Sequence, residues 1–298
     1  MIEQLFSLKD GKRVFMRYYN DLPNAKTILY LHGGPGDNCE NFNCAAHNLS
    51  NNFNIVMIDQ RGVLRSDRVE ENEPLSVPIL IDDCEYIRTQ LQIEKWILIG
   101  HSYGGFLSLL YSYLYPASVD KVIYENPSWS SLDAIKTIHR NTSEYLRTIK
   151  EFELADKIDM TVATCDDFEK LIQLQLETPE KYRERVYYNK AWTTEIIKYC
   201  SLQNITSDQW ENSNIHHKRI INDKINYEYT LPYLKKIVCP SMLIRGDHDP
   251  VMSKEFQEYF IANSPDGELI VIPDCGHYVH TDDVVAFCKS IVDFCMTE

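Results

Sequence analysis

Residues 100–104 form a G-x-S-x-G pentapeptide that could supply a nucleophile. It reads Gly, His, Ser, Tyr, Gly, follows the apolar run 96–99 directly and precedes a stretch with helical periodicity. A strand that turns abruptly into a helix points its turn residue outward, so Ser102 would be exposed as a nucleophile. At such a turn Gly100 and Gly104 leave room for backbone that a side chain would hit. The chain has only 11 glycines among 298 residues, so a chance match is improbable.

The glycine-rich loop 33–36 could supply a donor for the oxyanion that forms when a serine attacks a carbonyl. An apolar run at 27–31 ends in His32, and Gly-Gly-Pro-Gly follows. Alone, this would be an ordinary Gly/Pro turn. After a buried strand and well ahead of the nucleophile, such a loop can turn a backbone N–H toward developing negative charge. We therefore predict the backbone N–H groups of Gly34 and Tyr103 as the oxyanion donors.

An acid is expected downstream of the serine, at the end of a strand, because it must orient the base. The apolar run 238–245 is followed by Gly-Asp-His-Asp-Pro at 246–250. We predict Asp249 as the acid. Asp247 is an alternative, and Glu125, at the end of another strand pattern, is a third.

The predicted base is His277, one of nine histidines. It follows a strand pattern at 268–272 and a turn, and it precedes the last helical stretch. From a loop there, one ring nitrogen can take the serine proton while the other faces the acid. His280 is interpreted as a helix-start or pocket residue. The ordered set Ser102, Asp249, His277 thus predicts nucleophilic catalysis without a cofactor or a metal.

Apolar runs of strand length alternate with amphipathic stretches over 26–126 and again from 236 onward, which is typical of a mostly parallel sheet covered by helices. We predict an α/β protein, with the following strands and helices. Strands are expected at 3–8, 13–19, 27–32, 54–59, 95–100, 120–125, 238–245 and 267–272, and helices at 76–92, 102–115, 253–263 and 281–294.

The alternation disappears between Pro127 and Leu234, where the chain has no glycine and is rich in Glu, Lys, Tyr and Ile. We interpret this segment as several helices inserted over the strand ends, which would roof the site. Three of the four tryptophans, at 129, 192 and 210, fall in it and either line a pocket or pack the insertion against the core. Our candidates for substrate contacts are Glu125, Trp129 and Trp192.

Composition narrows the choice of partners. The formal net charge of −14 comes without a clustered basic surface, so we expect no nucleic-acid partner. No apolar run has membrane-spanning length, and the first residues lack a basic region followed by an apolar one, so we expect a cytosolic protein without membrane contact. The nine cysteines lack C-x-x-C spacing and predict neither a disulfide framework nor a zinc site.

Taken together, the pentapeptide, the loop 32–36 and the segment Asp59-Gln-Arg-Gly with Ser66 downstream resemble the proline iminopeptidase-like branch of the α/β-hydrolases. The resemblance implies a mostly parallel eight-stranded sheet with a helical cap after the sixth strand. It places the core at 1–126 and 235–298 and the cap at 127–234. The chain departs from the family pattern at Leu64, where a second glycine is usual, and at His101 and Tyr103 beside the nucleophile.

By this likeness the chain would be a serine hydrolase that acts through an acyl-enzyme on a small amide or short peptide, as an aminopeptidase. An esterase or lactonase with the same triad is the alternative within this mechanism. A binding protein that keeps the fold without catalysis is the alternative of another class.

Overall fold

The computed structural model describes residues 1–188, 198, 200, 202, 204–228, 230–264 and 266–296. Its centre is a sheet of eight strands in the order β1-β2-β4-β3-β5-β6-β7-β8. The strands are β1 Ile2–Ser7, β2 Arg13–Tyr19, β3 Thr27–Leu31, β4 Asn54–Ile58, β5 Trp96–His101, β6 Val119–Glu125, β7 Ser241–Gly246 and β8 Gly267–Ile272.

The sheet is mostly parallel, as predicted. Strand β2 pairs antiparallel with β1 and β4, and every pairing from β4 through β3 to β8 is parallel. All residues of β3, β4 and β5 are buried, because helices cover both faces of the sheet. The carboxyl ends of the parallel strands therefore share one edge, where loops can bring distant residues together.

Helices lie on both faces of the sheet and in the segment between β6 and β7. Those outside that segment are α1 Asn43–Leu49, α2 Val77–Gln90, α3 Tyr103–Leu114, α9 Lys254–Asn263, α10 Val279–Asp282 and α11 Val284–Met296. One apolar cluster joins the sheet to α2, α3 and α9, and a second joins it to α1 and α11.

Between β6 and β7 the structure describes α4 Ser131–Thr148, α5 Phe152–Thr164, α6 Phe168–Glu177, α7 Glu180–Tyr187 and α8 Ser207–Ile221. Helices α4 to α7 bury an apolar cluster of their own, which includes Leu146, Ile158 and Leu171. Helix α8 begins with a capping box in which Thr206 and Gln209 satisfy each other's backbone N–H groups.

Apart from shifts of one or two residues at the ends of most elements, three features differ from the sequence prediction. Strand β7 begins at Ser241 instead of 238, because Pro240 precedes it and the apolar side chain of Val238 is 73% exposed. The last helical stretch is two helices that meet at Asp283. Helix α1 was not predicted. Among the described residues, no helix combines the length and hydrophobicity that crossing a bilayer would need.

Candidate active site

Ser102 lies at the turn between β5 and α3 in a strained conformation, with φ 53° and ψ −117°. Its N–H donates to the carbonyl of Glu125 at 2.9 Å, which ties the turn to the end of β6. A Cβ on Gly104 would lie 2.0 Å from the carbonyl oxygen of Leu31, and one on Gly100 would lie 2.2 Å from that of Gly104. Only glycine lets the helix approach the strands this closely, which explains the flanking residues of the pentapeptide.

The loop 33–36 lies directly against the nucleophile. A Cβ on Gly33 would lie 3.0 Å from the Cβ of Ser102. Gly34, which has φ 109°, lines a cavity of about 280 Å³ together with Ser102 and Tyr103. Tyr103 is the first residue of α3, so its N–H has no partner within the helix. The two predicted oxyanion donors therefore belong to residues that share one cavity with the serine.

His32 links the loop 33–36 to the segment that begins at Asp59. Its Nδ1 donates to the carbonyl of Gly33 at 3.0 Å, and its Nε2 accepts from the N–H of Gln60 at 3.1 Å. One donating and one accepting nitrogen define a neutral ring, and burial lowers the pKa of His32 accordingly. Gln60 of the Asp59-Gln-Arg-Gly segment thus contacts the loop through His32.

The structure brings Asp249 and His277 together. Asp249 Oδ1 lies 2.7 Å from His277 Nδ1, and Oδ2 accepts from the N–H of Met252 at 2.9 Å. Both side chains are buried, at 0% and 3% exposure. Because a carboxylate only accepts, the neutral ring of His277 has its proton on Nδ1, which leaves Nε2 with a lone pair. This is the tautomer that a general base for a serine needs.

The two alternative acids have other partners. Asp247 accepts from the N–H of Cys275 at 3.2 Å. The carboxylate of Glu125 contacts Nδ1 of His280 at 2.8 and 2.9 Å and accepts from its backbone N–H at 2.9 Å. His280 itself lies at the start of α10 and is fully buried.

Tyr187 contacts the base, and His101 connects the base loop to the turn of the nucleophile. The ring of Tyr187 meets that of His277 edge-on, with centroids 5.4 Å apart, and Tyr187 lines the same cavity as Ser102. His101, the residue before Ser102, has its Nε2 3.0 Å from the carbonyl of His277. The base loop is therefore attached to the turn that carries the serine.

The walls of the cavity are mainly apolar. They come from α4, α6, the end of α8 and the loop after β7, with polar groups between them. The apolar residues are Ala134, Ile135, Ile138, Phe168, Ile172, Ile221 and Val251, and the polar ones include Ser128, Ser131, Gln175, Tyr187 and His217.

Two of the predicted substrate contacts lie elsewhere. Trp129 is 1% exposed and packs against Tyr124 and Phe260, so it joins the segment to the sheet instead of facing the cavity. Glu125 is enclosed with His280, and neither it nor Trp129 is among the described residues that line the cavity. Trp192 lies outside the described residues.

Helix α8 contacts the loop 33–36 and the segment that contains Arg61 and Leu64, which the sequence did not indicate. His217 Nδ1 donates to the carbonyl of Pro35 at 2.8 Å, and His216 Nδ1 donates to that of Arg61 at 2.7 Å. The backbone N–H of Leu64 donates to Ser213 Oγ at 3.2 Å. Leu64, where the family pattern has glycine, adopts φ 37°. Nothing in the sequence of α8 signals these contacts, because the partner of each α8 side chain is a backbone group.

One group of metal-binding residue types lies behind the nucleophile. His101, Glu125 and His280 each place a ligand atom within 4.8 Å of the others, and all three are buried. Glu125 and His280 are already hydrogen-bonded to each other, so the observed geometry is that of a buried acid–imidazole pair.

The fold agrees with comparisons to known proteins. Residues 26–284 match the family model described as alpha/beta hydrolase fold, and the chain belongs to this family of hydrolases. Within it, the chain is proline iminopeptidase-like, as the sequence motifs indicated.

The relatives and solved structures define this likeness. The chain is 23% identical over 299 residues to the proline iminopeptidase of Heyndrickxia coagulans, which covers 95% of each protein. It is 24% identical over 266 residues to the proline iminopeptidase PfmaB of Pestalotiopsis fici, covering 87% of this chain and 88% of that one. The structure of VinJ superposes with a TM-score of 0.71 at 18% identity, covering 98% and 97% of the two chains.

Proposed function

We propose that this hydrolase acts through an acyl-enzyme, with Ser102 as nucleophile, His277 as base and Asp249 as the acid that orients the base. The observation that carries this proposal is the buried 2.7 Å contact between Asp249 Oδ1 and His277 Nδ1. It supports a base whose Nε2 is free to accept a proton. The strained turn at Ser102 is the second support, because such strain persists only where the surrounding structure enforces it.

In the proposed reaction Ser102 Oγ attacks the substrate carbonyl while its proton passes to His277 Nε2. The carbonyl oxygen becomes an oxyanion, which the backbone N–H groups of Gly34 and Tyr103 stabilise. The tetrahedral intermediate collapses, the bond to the leaving group breaks, and His277 returns the proton to that group. Water, activated by His277, then attacks the acyl-enzyme in the same way and releases the acid.

We further propose that 127–234 is a helical cap on a core of 1–126 and 235–298, and that it forms the substrate pocket. Helices α4 and α6 of this segment supply cavity walls above Ser102. The named relatives support a small amide or a short peptide as substrate, cleaved as an aminopeptidase would cleave it. A cavity of about 280 Å³ would enclose only a small acyl group.

The apolar lining favours a second candidate with the same mechanism. Ile135, Ile138 and Ile172 would take up an apolar acyl chain, which suits a small ester or lactone. The two candidates differ only in the leaving group and in how the cap contacts the acyl side.

A fluorophosphonate probe tests the mechanism. The wild-type protein should be labelled, and Ser102→Ala should abolish labelling while its thermal unfolding stays close to wild type. A folded wild-type protein that resists the probe would refute the hydrolase mechanism and favour a binding protein.

A substrate panel then separates the two candidates. Proline and alanine anilides are compared with short-chain esters and lactones of matched acyl size, with Ser102→Ala as the blank. Negligible turnover of the anilides beside rapid ester cleavage would refute the aminopeptidase and support the esterase.

A further inference from the structure

Asn126, the residue after β6, joins two loops that lie far apart in the sequence. Its Oδ1 accepts from the N–H of Gly246 at 3.2 Å, and its Nδ2 donates to the carbonyls of Gly276 at 3.1 Å and His277 at 2.8 Å. The side chain is fully buried. Its orientation is fixed by these partners, because the amide oxygen must face the N–H and the NH₂ group must face the two carbonyls.

The two loops carry the acid and the base. Gly246 ends β7, and its carbonyl accepts from the N–H of Asp249 at 3.1 Å. The other loop contains His277 itself. The carbonyl of His277 also accepts from His101 Nε2, and burial lowers the pKa of His101, which keeps this ring neutral. Two buried side chains thus hold the backbone of the base.

We propose that Asn126 is a positioning residue that fixes the spacing between the Asp249 loop and the His277 loop. The inference rests on the proposed function, because Asn126 is taken to position two residues of the proposed triad. Asn126 is not among the described residues that line the cavity and contacts no reacting atom. It acts through the carbonyl group of residue 277, whose carbon is bonded to the Cα that carries the imidazole.

The geometry makes Asn126→Asp a sharp perturbation. Asn126 has φ 41°, a conformation that Asn, Asp and Gly tolerate better than other residues, so the backbone can stay in place. The introduced carboxylate would keep the acceptor for Gly246 but would face the two carbonyl oxygens of Gly276 and His277. A misplacement of the base by about 1 Å costs roughly 100-fold in rate. We expect such a fall in kcat with KM unchanged, because no substrate contact is lost.

The pH profile separates positioning from a general structural role. A buried carboxyl beside two carbonyl oxygens has a raised pKa, and its protonated form can donate again to the carbonyl of His277. The ratio of Asn126→Asp to wild-type kcat should therefore rise as the pH falls. Asn126→Gly keeps the backbone conformation and removes the side chain, so it should lose kcat equally at all pH values.

Asn54 offers a matched control. It is also buried, and its side chain joins backbone groups of Leu22 at 2.8 and 3.1 Å, but it lies at the amino end of β4, away from the site. Asn54→Asp should lower the melting temperature and leave kcat and its pH profile as in wild type, measured below the unfolding transition.

The outcomes are distinct. Wild-type kcat in both folded Asn126 variants would overturn the inference, as would a kcat ratio for Asn126→Asp that does not change with pH. Failure of both variants to fold would also overturn it, since the residue would then serve folding alone. A wild-type protein without labelling at Ser102 would remove the proposed function, and this inference with it. If the wild-type protein is labelled at Ser102 and the Asn126 variants keep wild-type kcat, only the inference about Asn126 is refuted.

Discussion

Replacing the proposed acid, Asp249→Asn, should lower kcat by about 10⁴-fold, which corresponds to roughly 5 kcal/mol of transition-state stabilisation. The loss of activity follows from the two donors that face this carboxylate. The N–H of Met252 points at Oδ2, and Nδ1–H of His277 points at Oδ1. A carboxylate accepts both hydrogen bonds, whereas an amide offers only one acceptor.

The amide must therefore choose between two orientations. With its NH₂ group toward Met252, two donors would face each other in a buried site, at a cost of about 1–3 kcal/mol. With its oxygen toward Met252, the NH₂ group faces Nδ1 of His277 and forces the ring proton to Nε2. In this preferred orientation His277 can no longer take the proton of Ser102. The lost carboxylate charge also stops stabilising the imidazolium that forms during attack.

The assay is the turnover of the best substrate from the panel, together with the rate of fluorophosphonate labelling. Asp247→Asn is the matched control, because Asp247 lies in the same loop and accepts from Cys275. It should remain near wild type, as should Glu125→Gln if the variant folds. Near-normal turnover of Asp249→Asn, with collapse in either of the other two, would refute the reasoning and move the acid.

Two further predictions concern packing and pH. Gly104→Ala should lower the melting temperature and slow probe labelling, because its Cβ would lie 2.0 Å from the carbonyl oxygen of Leu31 and α3 would have to move. Burial lowers the pKa of His216 from 6.5 to about 3. Below pH 6.5 this side chain therefore binds a proton in the unfolded chain but stays neutral in the native state. The free energy of unfolding therefore decreases as the pH is lowered below 6.5, and this group accounts for a decrease of about 2 kcal/mol at pH 5. His216→Asn, which keeps a donor for Arg61, should reduce this loss in urea unfolding at pH 7 and pH 5.

Each of these two predictions has a clear contrary result. Wild-type melting and labelling in Gly104→Ala would mean that the turn can relax at no cost. An unchanged loss of stability between pH 7 and pH 5 in His216→Asn would mean that other groups cause the acid sensitivity.

The sequence predicts the sheet well because most strands carry a purely local signal. In β3, β4 and β5 every side chain is buried, and a continuous apolar run marks such strands. The start of β7 was misplaced, since an apolar residue such as Val238 can be exposed. Helix α1 was missed because it has only seven residues and its burial is decided by α11, which lies more than 200 residues further along the chain.

The sequence could not determine which side chains of the site contact one another. It nominated three acids for one base, and only the distance from His277 Nδ1 distinguishes Asp249 from Asp247 and Glu125. It gave no sign of Asn126, because a single buried Asn has no pattern and its partners lie 120 to 151 residues away. Trp129 was read as a pocket candidate although its burial against Phe260 reflects packing of the segment on the core.

The strain at Ser102 and the glycines around it depend on one another. A non-glycine residue at φ 53° and ψ −117° costs of order 1–3 kcal/mol, so other contacts must hold it there. The N–H of Ser102 bonds to Glu125, and its carbonyl accepts from Gly105 at 2.9 Å and Ser128 at 3.1 Å. These bonds require α3 to sit close to the strand ends, where a Cβ on Gly105 would lie 2.5 Å from the Cβ of Pro127. Relief of the strain would therefore break buried backbone hydrogen bonds, which is why the turn keeps the serine oxygen exposed to the cavity.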